Sequence, residues 1–304
     1  MMHMIAGRIR ILVFIYPACL RKCIPDVFSS SIVCVSSLYL IRTARNTPNK
    51  IIPKHIFFSF PNELFFRGTN DRNQIKRHRI ILMYRDMITC MKENGITPYI
   101  TIFHWEFPQA PYDKGGWLNP EVIDWFGEYA KVVAENFSDI CEYFITINEP
   151  QCVVGLGHLS GVHAPGLKLS AKDTFQIAHN LMKAHGQAVI NLRKYAVRDI
   201  KVGYAPTGGV AYPYTDKPED IEAAKKVYFG FYNPMDNWTW NVAWFSDPVF
   251  LGHYPKEGLE KFAEYLPEIT EEDMELSMWQ QENRLYIHLA IRFFRLHAMK
   301  MLCR

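Results

Sequence analysis

Residues 143–150 read Tyr-Phe-Ile-Thr-Ile-Asn-Glu-Pro. The apolar run stops abruptly at Asn148-Glu149-Pro150, so a carboxylate is expected at the C-terminal end of a buried strand. In a β/α barrel that end of the strands meets substrate, whereas the opposite face serves stability. Apolar walls disfavour the charged form of a buried glutamate, so the Glu149 carboxyl is expected to titrate above the usual range. A carboxyl kept protonated near neutral pH can act as a general acid. Taken alone, Asn-Glu-Pro also reads as an ordinary loop or cap, with Pro150 simply ending the strand. The neighbouring segments decide between the two readings.

Outward from this stretch, residues 82–275 alternate apolar runs with amphipathic helices, the pattern of parallel βαβ units and an α/β fold. Thr97–Phe103 reads as a buried strand, Tyr143–Ile147 as the next and Lys201–Ala205 as a third. Asn119-Pro120-Glu121 is expected to open a helix with a cap, a first-turn proline and an acid. Ile123, Phe126, Ala130, Val133 and Phe137 form its apolar face. Phe175–Leu192 is a further amphipathic helix. The chain divides into an atypical N-terminal segment (1–80), the central part of the fold (81–279) and a basic tail (280–304). Residues 284–304 carry five cationic side chains and no acidic one.

The 304 residues are 49% hydrophobic and 21% charged, enough for one large α/β domain. A net charge of +3 is too small to argue for nucleic acid or an anionic membrane as partner. The apolar runs Ile11–Leu20 and Ile32–Ile41 are too short to span a bilayer, which takes about 20 residues. The seven cysteines (Cys19, Cys23, Cys34, Cys90, Cys141, Cys152 and Cys303) have no zinc spacing and no CxxC pair. They are expected as reduced, buried small hydrophobes in a cytoplasmic protein.

Directly after Thr97–Phe103 come His104-Trp105-Glu106-Phe107-Pro108-Gln109 and then Gly115-Gly116-Trp117-Leu118-Asn119. A histidine beside an indole offers a polar handle and a flat apolar platform, both of which a sugar requires. With Gly95-Ile96-Thr97-Pro98, Thr146–Pro150, His163-Ala164-Pro165-Gly166, His179-Asn180-Leu181, Asp247-Pro248 and Gly252-His253-Tyr254-Pro255, these segments resemble family 1 of the glycoside hydrolases, the β-glucosidase-type TIM barrels. The resemblance implies a partial (β/α)8 barrel without recognisable first strands or C-terminal strands. It also implies a retaining β-glycosidase acting on a small β-glycoside or oligosaccharide by double displacement, with no metal and no cofactor. Glu149 would be the acid/base, Asn148 would hold the sugar 2-hydroxyl, and His104 and Trp105 would line the site of the terminal sugar.

Such an enzyme needs a second carboxylate about 5–5.5 Å from the first. The family's Thr-Glu-Asn-Gly nucleophile motif has no counterpart in this chain. Glu93-Asn94-Gly95 is a poor substitute, because it reads as a helix C-cap at the N-terminal entry of a strand. A chain without that nucleophile is expected to be inactive. It would then be a sugar-binding pseudoenzyme or a mis-translated gene fragment with out-of-frame ends. His158 and His163 are expected to shape the entrance. Trp238, Trp240 and Trp244 suit an aglycone platform and core packing equally well.

Overall fold

A computed structural model describes residues 55–59, 71–208, 211–231, 235–278 and 284–286; for 55–59, 71–76, 235–237 and 284–286 the backbone alone is described. The apolar runs at 11–20 and 32–41, and the tail beyond 286, lie outside the described residues.

Five parallel strands lie side by side in chain order. They are β1 (His55–Ser59), β2 (Thr97–Phe103), β3 (Tyr143–Asn148), β4 (Lys201–Ala205) and β5 (Arg284–Tyr286). The helices between them are α1 (Asp71–Glu93), α2 (Val122–Phe137), α3 (Ala171–Tyr195), α4 (Pro218–Phe229), α5 (Val242–Phe250), α6 (Lys256–Lys261) and α7 (Glu271–Ser277). β2 and β3 are buried along nearly their whole length, as strands of a parallel sheet covered by helices must be. This double-sided burial is why they read as continuous apolar runs.

The structure corrects the expected limits in two places. β1 pairs with β2 from His55↔Thr97 to Ser59↔Thr101, and β5 pairs with β4 from Val202↔Arg284 to Tyr204↔Tyr286. Strands therefore exist both before residue 81 and after residue 279. β1 has five residues and β5 three, runs too short to show a period in the sequence. α1 also begins ahead of the patterned region expected from residue 82, because the sequence Asp71 to Arg79 holds a single apolar residue, Ile75, and so shows no helical period. The opening of α2 differs as well. Asn119 does not cap that helix; its Oδ1 accepts from the Glu121 N–H at 2.9 Å, one turn upstream of Val122.

The end of α1 follows the sequence. Gly95 adopts φ 72°, the Gly95 N–H donates to Lys92 O, and the Ile96 N–H donates to Met91 O, both at 2.9 Å. This paired 5→2 and 6→1 closure needs a left-handed residue that glycine supplies without strain. Glu93 thus sits at the N-terminal entry of β2, with His104 following the opposite end.

Phe126 and Phe137 on α2, Phe144 on β3 and Phe175 on α3 are fully enclosed in one core. Trp238 and Trp244 belong to it too: Trp238 stacks on Phe175 at 3.9 Å between ring centres. Both are packing residues rather than a platform open to ligand. α7 is tied to α3 through Asp273, which accepts from Lys183 and from His179 Nε2. Burial alone would raise the Asp273 carboxyl, but the Lys183 and His179 hydrogen bonds outweigh it and hold it at about 2. Among the described residues, no helix is long and apolar enough to cross a membrane.

α3 and α7 meet at Gly186. A Cβ there would lie 1.6 Å from the Leu276 carbonyl oxygen, which is backbone and cannot swing aside. Gly186→Ala should therefore lower stability by about 1–3 kcal/mol, read as a reduced denaturation midpoint, although alanine is the better helix former. An unchanged or raised midpoint would contradict this packing.

Candidate active site

The C-terminal ends of β2 and β3 bring the four expected residues together. Among the described residues, Trp105 (φ 71°) and Glu149 (φ 45°) are the non-glycine residues in the left-handed region. Each follows the end of its strand, and each conformation costs on the order of 1–3 kcal/mol unless its surroundings enforce it. Hydrogen bonds do enforce it. The Glu149 N–H donates to Ala205 O at the end of β4 (2.7 Å), and Trp105 Nε1–H donates to Asn148 O (3.1 Å). Below Glu149 the β3–β4 register slips between Ile145↔Gly203 and Asn148↔Ala205, so β3 carries one extra residue. Such a bulge re-aims the side chains that follow it.

Glu149 and Asn148 are each 7% exposed. Asn148 Nδ2 lies 3.3 Å from His104 Nε2. An amide nitrogen only donates, so in this contact Nε2 is the acceptor and the imidazole is neutral, with its proton on Nδ1. Burial pushes the His104 imidazole down to about 4, in keeping with that neutral form. Trp105 lies edge-on to His104 (5.0 Å between ring centres) and tilted against His163 (5.4 Å). Behind the strand ends, Gln151 Oε1 accepts from the Thr207 N–H at 3.0 Å, tying the turn after β3 to the segment after β4.

A cavity of about 220 Å³ opens beside this group, lined by Trp105, Phe107, Trp117, His158, His163 and Cys152 among others. Glu149, Asn148 and His104 do not line it. It adjoins the carboxylate through Cys152, which both lines the cavity and contacts Glu149. His158 is buried with Nδ1 2.8 Å from Val153 O, which makes it a structural tie. The sequence predicts Cys152 to be a small buried hydrophobe, yet its thiol donates to Glu149 Oε2 at 3.3 Å. A spacing of three carries no signal by itself; the helical turn Pro150–Cys152 brings the two side chains together.

The arrangement is a buried carboxylate with an amide, a neutral imidazole and an indole on one rim. A family model for glycosyl hydrolase family 1 matches residues 65–287. The chain belongs to that family. The match reaches beyond both limits of the expected central part. Among relatives of this family 1 chain, β-glucosidase A of Thermotoga maritima is 42% identical over 191 residues, covering 63% of this chain and 40% of the relative. Beta-glucosidase A of Acetivibrio thermocellus is 36% identical over 215 residues, covering 70% of this chain and 44% of that one. The chain thus spans about two fifths of the length of the curated relatives it matches. Its fold resembles solved family 1 β-glucosidase from T. maritima in complex with isofagomine lactam, with a TM-score of 0.60 at 37% identity. That match covers 74% of this chain and 48% of the other. A second T. maritima structure, in complex with glucoimidazole, matches with the same TM-score at 36% identity.

The depressed histidines set a pH dependence. His185, fully buried with Nδ1 2.7 Å from Thr146 Oγ1, is pushed down by burial to about 3, as His104 is to about 4. Unfolded histidine titrates near about 6.5, so below that pH the unfolded chain binds protons that the folded chain refuses. The stability from these two groups is complete above about pH 6.5 and declines as the pH falls through it toward 4. NMR titration of the ring protons should place the His104 midpoint near 4. A midpoint at the unperturbed value would show that the ring is not held neutral against Asn148.

Proposed function

We propose that this chain carries the acid/base half of a retaining β-glycosidase site of the β-glucosidase kind. The carrying observation is the buried Glu149 carboxylate, turned by its left-handed backbone at the end of β3 beside Asn148. In this proposal Glu149 protonates the departing glycosidic oxygen and later takes a proton from water. The Asn148 amide, oriented by neutral His104, hydrogen-bonds a sugar hydroxyl, and Trp105 offers its face to the C–H surface of the ring. The ligand is a small β-glycoside or oligosaccharide, with no cofactor. We place the chain in a reducing cytoplasm, in keeping with Cys90, Cys141 and Cys152, which form no disulfide among the described residues.

The five parallel strands form part of an eight-stranded barrel in this reading. In this reading none of the described residues supplies the second carboxylate of the double displacement. Glu93 lies at the wrong end of β2. We therefore assign the chain on its own a sugar-binding role without turnover.

Two measurements test this. Glucoimidazole titrated against the chain should quench tryptophan fluorescence saturably, and Glu149→Gln should weaken binding by about tenfold or more, as loss of a hydrogen bond to a charged group would. Equal binding by both proteins would remove Glu149 from the site. An aryl β-glucoside should be left unhydrolysed by the native chain. Turnover that Glu149→Gln lowers by about 10²–10⁴-fold would show a complete catalytic pair and overturn the non-catalytic assignment.

A further inference from the structure

The turn after β3 places one more polar group on the proposed acid/base. Cys152 lies three residues beyond Glu149 in the single helical turn Pro150–Cys152. Its N–H donates to the Glu149 carbonyl oxygen at 2.9 Å, and its thiol donates to Glu149 Oε2 at 3.3 Å. Both residues are 7% exposed. We propose that Cys152 is a positioning residue, whose S–H holds the Glu149 carboxylate in the orientation needed for proton transfer. This inference rests on the acid/base reading of Glu149.

Three features favour a positioning role over plain packing. The thiol contacts the carboxylate through a donor, which a valine or alanine would remove. The sulfur is the donor in this contact, so it serves Glu149 as a hydrogen-bond partner. The contact is also pre-formed. Pro150 fixes the first position of the turn, and the backbone bond from Cys152 to Glu149 sets the thiol over the carboxylate, so holding it costs little side-chain freedom. The left-handed backbone of Glu149 orients the root of the side chain, and Cys152 holds its tip.

The test uses the full chain with Cys152→Ser, Cys152→Ala and Glu149→Gln, each shown by circular dichroism and thermal melting to be folded. Infrared spectroscopy should show an S–H stretching band at a hydrogen-bonded frequency that vanishes in Cys152→Ala and moves in Glu149→Gln. In glucoimidazole titrations, Cys152→Ala should weaken binding about fivefold, while Cys152→Ser, which keeps a donor, should lie within about twofold of the native chain. Glu149-dependent binding that is the same in Cys152→Ala as in the native chain would overturn the positioning role and leave the acid/base reading standing. If glucoimidazole binds no variant, the acid/base reading fails. The infrared band then decides the contact alone, and a free-thiol frequency unmoved in Glu149→Gln would overturn it.

Discussion

The Glu149 N–H bonded to the Ala205 carbonyl is the constraint on which the site depends. It requires the chain to turn left-handed immediately after β3, a conformation that a glutamate adopts only when its surroundings leave no cheaper choice. The extra residue in β3 shifts the register to make that turn possible, and the adjacent end of β4 supplies the acceptor. The strain is thus stored where two strand ends meet.

Neighbouring strands reinforce one another. Trp105, also left-handed, follows β2 and donates to the Asn148 carbonyl, while the His104 ring accepts from the Asn148 side chain. Asn148 is therefore gripped at both its backbone and its amide by consecutive residues of the adjacent strand end. Burial keeps His104 neutral, which is the state this grip needs. A protonated ring would present a donor to a donor. The scaffold beneath is ordinary by comparison: helices close-packed on strands, with α3 and α7 touching backbone to backbone at Gly186.

Family membership and this geometry support each other without being the same claim. The family match concerns residues 65–287 and relatives more than twice as long as the matched stretch. The geometry concerns a few side chains at two strand ends. Together they are the grounds on which we propose a carbohydrate site around one buried carboxylate, with a cavity beside Trp105 and Cys152.

The β2–α2–β3–α3–β4 core was legible from the amino acids, because strands buried on both faces must be apolar throughout and their helices must carry one apolar face. The meeting of His104, Trp105, Asn148 and Glu149 at one end of the sheet was legible for the same reason: polar side chains could begin only where an apolar run stopped. The cap at Asn94-Gly95 was legible from glycine's freedom. Tertiary structure alone decided the rest. β1 and β5 are short, and the first residues of α1 are mostly polar in sequence, so none of them left a periodic trace. The left-handed turns, the grip of His104 on Asn148 and the thiol on Glu149 arise from how separate strand ends and a tight turn meet in space. Residue order does not encode such distances until the sheet has set its register.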